Sequence, residues 1–177
     1  MSTAAKKSIA SLSVPELLQH ALVIELEAEQ SYADMANQMH DCGNHDVGAL
    51  FTKMAALEGR HAKKLREHVT DFELQEIAPW EYQWADFEPP ENVELNEIHY
   101  LMTPHHALSL ALAAELRAQD FFSQVASVAA DEAVKNLAIE FADDEAQHAE
   151  WMRDWLASYP PPAHDWAEDP DPPVAAD

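Results

Sequence analysis

The stretch Phe141-Ala-Asp-Asp-Glu145-Ala-Gln-His148-Ala-Glu-Trp151-Met152 sets a Glu and a His three residues apart on a helix face that is otherwise apolar. Positions i and i+3 lie one above the other on a helix, so both side chains reach one point in space. A second copy stands 87 residues earlier, Met54-Ala-Ala-Leu-Glu58-Gly-Arg-His61-Ala-Lys-Lys-Leu65. With 19 Glu and 10 His in 177 residues, about one such spacing is expected by accident. Two copies in matched apolar registers point to design.

Working outward, apolar residues at Leu17, Leu18, Ala21, Leu22, Ile24, Ala28, Tyr32, Met35, Ala36 and Met39 predict a first helix. Ser13, Pro15 and Glu16 form its capping box. Gly43 ends it, and Asn44 caps a second helix over about 45–71. Residues 72–102 carry no sustained period but hold Pro79, Pro89 and Pro90 among Trp80, Tyr82, Trp84 and Phe87. So long a connection fits a crossover along a bundle, with its aromatics packed on the bundle or a partner subunit. Thr103-Pro104 opens a third helix to about 128, and a fourth follows Asp131 to about 158. The reading is an all-α four-helix bundle over 13–158, two helical hairpins joined by the crossover. Residues 1–12 form a loose N-terminal arm, and 159–177 a Pro-rich acidic tail without fixed structure.

The two hairpins repeat one another. A shift of 90 residues lays Leu18, Ala21, Leu22, Glu25, Ala28 and Ala36 on Leu108, Ala111, Leu112, Glu115, Ala118 and Ala126. A shift of 87 lays Val47, Leu50, Glu58 and His61 on Val134, Leu137, Glu145 and His148. The three-residue difference falls in the loop between helices, where change costs least.

Glu25, Glu58, Glu115 and Glu145 therefore bring four carboxylates to one level of an apolar interior, with no inward Lys or Arg to answer them. Buried carboxylates are costly unless paired or bound to a cation. Two divalent ions match the charge, and His61 and His148 supply one imidazole each. This is the donor set of a carboxylate-rich di-iron bundle. Mn is compatible with the same ligand types, and a manganese centre with catalase activity is a variant.

The chain resembles the rubrerythrin branch of the ferritin-like superfamily. The resemblance rests on Ala21-Leu-Val-Ile-Glu25-Leu-Glu-Ala28-Glu-Gln-Ser-Tyr32, on Thr103-Pro104-His-His-Ala-Leu108 leading to Glu115-Leu-Arg-Ala118-Gln-Asp-Phe-Phe122, and on both Glu-x-x-His boxes. It implies that Glu58 and Glu145 bridge two metals while Glu25 with His61 and Glu115 with His148 cap one each. It also implies reaction of the centre with hydrogen peroxide or O2. Rubrerythrins proper carry a further Glu three residues after the third-helix ligand, where this chain has Ala118. They also carry a rubredoxin domain, which a chain with Cys42 as its one cysteine does not build. An external electron donor, such as a rubredoxin-like protein, is therefore expected.

Tyr32 points along the ligand stripe and is a candidate to donate to a metal-bound carboxylate or pass an electron; core packing explains it equally well. Asp144 is a candidate to orient His61. His20, His40, His45, His68, His99, His105, His106 and His164 lie outside the repeat register and read as surface or capping residues.

The net charge of −23 argues against nucleic acid and anionic membranes as partners. No signal peptide or membrane span is seen, so the expected location is the cytoplasm. A homodimer or higher oligomer is expected from the aromatic crossover. Three functions compete: a peroxidase or ferroxidase, an iron storage or delivery protein of ferritin type, and a non-redox bundle that binds a partner. Peroxide turnover separates the first two, and absence of bound transition metal favours the third.

Overall fold

The computed structural model describes residues 8–69, 77–84, 89–93 and 98–162. Its four long helices are α1 (Val14–Asp41), α2 (His45–Val69), α3 (Pro104–Val128) and α4 (Glu132–Leu156). No strand occurs among the described residues. α1 packs on α2 and α3 on α4 as antiparallel hairpins, and α1–α4 and α2–α3 contacts join the two into a ferritin-like bundle.

Local chemistry places the helix ends where the sequence predicts them. The Glu16 carboxylate accepts from the Ser13 N–H at 2.8 Å and the Ser13 hydroxyl at 2.7 Å, satisfying donors that the first helical turn leaves free. α1 stops at Gly43, which takes φ +78°. There the Asn44 N–H reaches Met39 O at 2.8 Å and the Gly43 N–H reaches His40 O at 3.0 Å, a Schellman arrangement that needs the left-handed residue. Asn44 also donates its amide to Met102 O at 2.7 Å, tying this turn to the end of the crossover. At α3 a histidine replaces the usual Glu of the box, the Thr103 N–H donating to His106 Nδ1 at 3.0 Å.

The core divides into two apolar clusters. One gathers Tyr32, Met35, Met39, Phe51, Met54, Leu108 and Met152. The other gathers Leu17, Ile24, Phe121, Phe122, Val125 and Val134 with Tyr82 and Trp84 from the crossover. The polar residues of the repeat register lie between them.

Two expectations change. The end of the arm is docked rather than loose: Leu12 is buried, and Ala130 N–H donates to Ala10 O at 3.2 Å. Residues 1–7 and the tail from 163 lie outside the described residues, as do 70–76, 85–88 and 94–97 of the crossover. His20 is not a surface residue but a fully buried one. Its Nδ1 lies 2.7 Å from Glu16 O, and its Nε2 accepts from the Gln83 N–H at 3.1 Å. The two bonds require a neutral ring protonated on Nδ1. Tyr82, Trp84 and Phe121 surround that ring at 4.9–6.0 Å between centroids. An isolated His in an α1 register gives no sign of this, because the partners come from a crossover without periodicity. His20→Ala should therefore cost about 2–5 kcal/mol, the range for a large buried side chain truncated to Ala, read as a lower urea midpoint. A loss under about 0.5 kcal/mol, typical of surface positions, would contradict the pinning role.

Candidate metal centre

Each candidate ligand arrives on a helix face already committed to the core. Glu58 and Glu115 are fully buried, and Glu25, Glu145 and His148 are nearly so. His61 Nδ1 lies 3.0 Å from Glu58 Oε2 and 3.5 Å from Glu25 Oε2. The second hairpin repeats this geometry: His148 Nδ1 lies 3.0 Å from Glu145 Oε2 and 3.4 Å from Glu115 Oε2. The two imidazoles stack face to face, centroids 4.1 Å apart and planes 7° from parallel. All six residues of the repeat register thus meet at one level of the bundle.

Closeness here is not mutual satisfaction. Glu25 Oε2, Glu58 Oε1, both oxygens of Glu115, Glu145 Oε2 and His148 Nδ1 are buried without a hydrogen-bond partner. His148 Nδ1 approaches Glu145 closely but off the hydrogen-bond axis. Orphaned buried acceptors each cost on the order of 1–3 kcal/mol, so a donor set with this many fits a bound cation. Among the described residues, three groups have donor atoms mutually close enough to hold an ion: Glu58 with His61 and His148, Glu115 with Glu145 and His148, and Glu25 with Glu58 and Glu91.

The electrostatics of the metal-free protein follow from crowding acids in a dry interior. Burial, with added repulsion from Glu145 and Glu58, pushes the Glu25 carboxyl up to about 8 against the pull of His61. Burial likewise lifts Glu115 to about 8 despite its contact with His148. Burial alone would lower both histidines, but the carboxylates beside them win, raising His61 to about 9 and His148 to about 11.

Glu91 is the residue that sequence reasoning missed. It is fully buried, neither of its oxygens has a hydrogen-bond partner among the described residues, and it faces Glu25 and Glu58. Burial and then Glu115 and Glu58 hold its carboxyl well above the ordinary range. No period marks it, since it lies in the crossover and has no counterpart in the duplication.

Tyr32 is fully buried, stacked on Phe51 at 6.1 Å, with its hydroxyl unpartnered. Burial, followed by Glu115 and Glu91, pushes its phenol well above the ordinary value. Asp144 is exposed, and among the described residues no hydrogen bond joins it to His61. It lies in the wall of a pocket of about 210 Å³ whose floor is Glu25, His61 and His148 and whose walls include Leu65, Phe141 and Trp151. That pocket, running between α2 and α4, joins the ligand level to the surface. Trp151, 39% exposed, stacks on His148 at 5.4 Å at its rim. Of the remaining described histidines, His106 caps α3 and His105 Nδ1 meets Tyr159 O at 2.9 Å, as expected for residues outside the register. No described helix is long and apolar enough to cross a membrane.

Comparison with known proteins agrees with this architecture. The rubrerythrin family model matches residues 16–102, which span α1, α2 and the crossover. The crystal structure of an uncharacterized conserved protein from Magnetospirillum magnetotacticum MS-1 superposes with a TM-score of 0.65 at 32% identity, covering 87% of this chain and 100% of that one. No curated protein gives a significant match. With a matching family model over the first hairpin, a relative aligned along its whole length, and carboxylate and imidazole donors gathered at mid-bundle, the chain belongs to the rubrerythrin family of ferritin-like proteins.

Proposed function

We propose that this protein holds two iron ions among Glu25, Glu58, His61, Glu115, Glu145 and His148 and uses them to reduce hydrogen peroxide or O2. The observation that carries the reading is the set of buried, unpartnered carboxylate and imidazole atoms at one level between two apolar clusters. Four carboxylates offset two divalent charges, and mixed oxygen and nitrogen donors suit iron. A ferrous pair supplies the two electrons that convert one hydrogen peroxide and two protons into two waters.

The chain's own residues prepare that reaction. The stacked His61 and His148 present Nδ1 to the carboxylates of their own hairpins, so each half of the site is a preformed unit. The pocket above Glu25, His61 and His148 has room for several waters, at about 30 Å³ each, and hence for peroxide or O2. Electrons come from an external donor, such as a rubredoxin-like protein. The Tyr32 hydroxyl is buried and unpartnered and feels the charge of Glu115, Glu91 and Glu58, so it is available to give a hydrogen bond to a carboxylate of the site.

Protein purified without oxygen should take up two ferrous ions per chain. Added hydrogen peroxide should oxidise them within seconds, and catalytic turnover should appear when a reductant is supplied. Stoichiometric oxidation with iron retained and no turnover would instead assign the protein to iron storage. Failure to bind iron, with tight uptake of manganese, would move the chemistry to that metal.

A further inference from the structure

Glu91 has no role in the repeat-derived site, yet among the described residues it is the acid most completely enclosed outside the helices. Its backbone is held with care. Pro89 O accepts from the Asn92 N–H at 3.1 Å, closing a turn over Pro90 and Glu91. Arg117 of α3 then clamps both flanks of Glu91, Nε donating to Pro90 O and a terminal nitrogen to Asn92 O, each at 2.8 Å. Val93, the next residue but one, is buried in the first apolar cluster. An exposed arginine fixing the carbonyl before and the carbonyl after one glutamate turns that side chain inward, where it is buried.

What it meets there is not a hydrogen-bond partner. Both carboxyl oxygens are buried and unpartnered, while one lies within 4.8 Å of oxygens from Glu25 and Glu58. A protonated Glu91 would leave an O–H donor unsatisfied in the interior, and an ionised one would add a fifth negative charge. Either is costly in isolation. A cation shared with Glu25 and Glu58 resolves both.

We infer that Glu91 is a seventh protein ligand of the metal centre, reaching it from the crossover on the side of Glu25 and Glu58 and positioned by Arg117. The inference rests on the metal-binding function proposed above. It makes the two halves of a duplicated site unequal: Glu25, Glu58 and His61 gain a carboxylate, and Glu115, Glu145 and His148 do not. The site then carries five carboxylates against two divalent ions. The half near Glu91 has the stronger negative field, so it binds a given cation more tightly and favours the more highly charged one.

The full-length protein is titrated anaerobically with cobalt(II) alone, following heat and the visible bands that report the ligand set. The wild type should take two ions per chain with unequal affinities. Glu91→Gln, which keeps shape and loses charge, should weaken one position at least about tenfold, alter its bands and spare the other. Arg117→Met, which leaves every ligand in place but frees the turn, should weaken the same position by about 10–100-fold, as loss of an outer support does. Melting of the metal-free variants checks that each is folded. Two ions bound by Glu91→Gln with wild-type affinities and bands would overturn the seventh ligand and leave the proposed function intact. An Arg117→Met protein that binds as the wild type does would overturn the positioning role. A folded wild type that binds no cobalt would overturn the inference and the metal-binding function together.

Discussion

Glu58→Gln is expected to abolish tight metal binding while leaving the metal-free bundle, above about pH 9, at least as stable as the wild type. Glu58 is wholly buried and belongs to two of the three donor groups, one with His61 and His148 and one with Glu25 and Glu91. Losing it removes a ligand from both of these groups, the first of which spans the two hairpins through His61 and His148. The affinity loss should therefore exceed the roughly 10–100-fold that follows removal of an outer support, and should affect both ions. The sign of the stability change is the diagnostic part. Gln retains an oxygen to accept from His61, now 3.0 Å from Glu58 Oε2, but removes one negative charge from a cluster in which, above about pH 9, ionised carboxylates outnumber charged imidazoles. In an interior of low dielectric, relief of like charge offsets a weaker hydrogen bond. Calorimetry in chelator just above pH 9 should show a melting temperature equal to or above that of wild type, and metal should raise it far less. A metal-free variant that melts well below wild type would mean that Glu58 is a structural group, and the metal reading would lose its main support.

The second large effect is an opposite pH response of the metal-free and metal-loaded forms. In the folded metal-free chain Glu25 and Glu115 titrate near 8, against an ordinary value of 4.5. His61 and His148 titrate near 9 and 11, against 6.5. All four are raised, so the folded chain holds protons that the unfolded chain has already released. Stability from the two carboxyls is complete below about pH 4.5 and drains away towards 8. That from the two imidazoles is complete below about 6.5 and is lost on rising through 9 and then 11. Each excess proton is worth about 1.4 kcal/mol per pH unit, or about 3–6 °C in a chain of this size. Between pH 5.5 and 8.5 the metal-free melting temperature should fall by more than one proton's worth per unit. Metal competes for the same atoms and displaces those protons. The rise in melting temperature on adding metal should therefore grow over the same interval. Overall acidity also disfavours the fold at high pH, and the double variant Glu25→Gln with Glu115→Gln separates the two causes: amides imitate the protonated carboxyls and should flatten the fall. A metal-free protein whose melting temperature rises with pH would refute this account of the buried acids.

How much of this was written in the chain depends on whether a residue lies on a periodic element. Ser13, Gly43, Asn44, Thr103 and Asp131 mark helix ends through short-range hydrogen bonds that any local window contains, and the helices begin and end at them. The apolar stripes put Glu25, Glu58, Glu115, Glu145, His61 and His148 inward because helix geometry carries phase along the chain. The duplication made those six legible as one set. His20 and Glu91 were not legible in this way. Each depends on the crossover, where no period transmits direction, and on partners 63 residues away from His20 or on α3 for the turn that bears Glu91.

By itself, then, the sequence determined the four helices, their inward faces and the six donors at one level, since all of these are consequences of local bonding and a 3.6-residue repeat. Only the tertiary structure decided that His61 and His148 stack on one another, that the crossover is pinned by His20, and that Glu91 enters the site under the grip of Arg117. The physical reason is that direction in an aperiodic segment is set by long-range contacts, which exist only once the two hairpins have closed on each other.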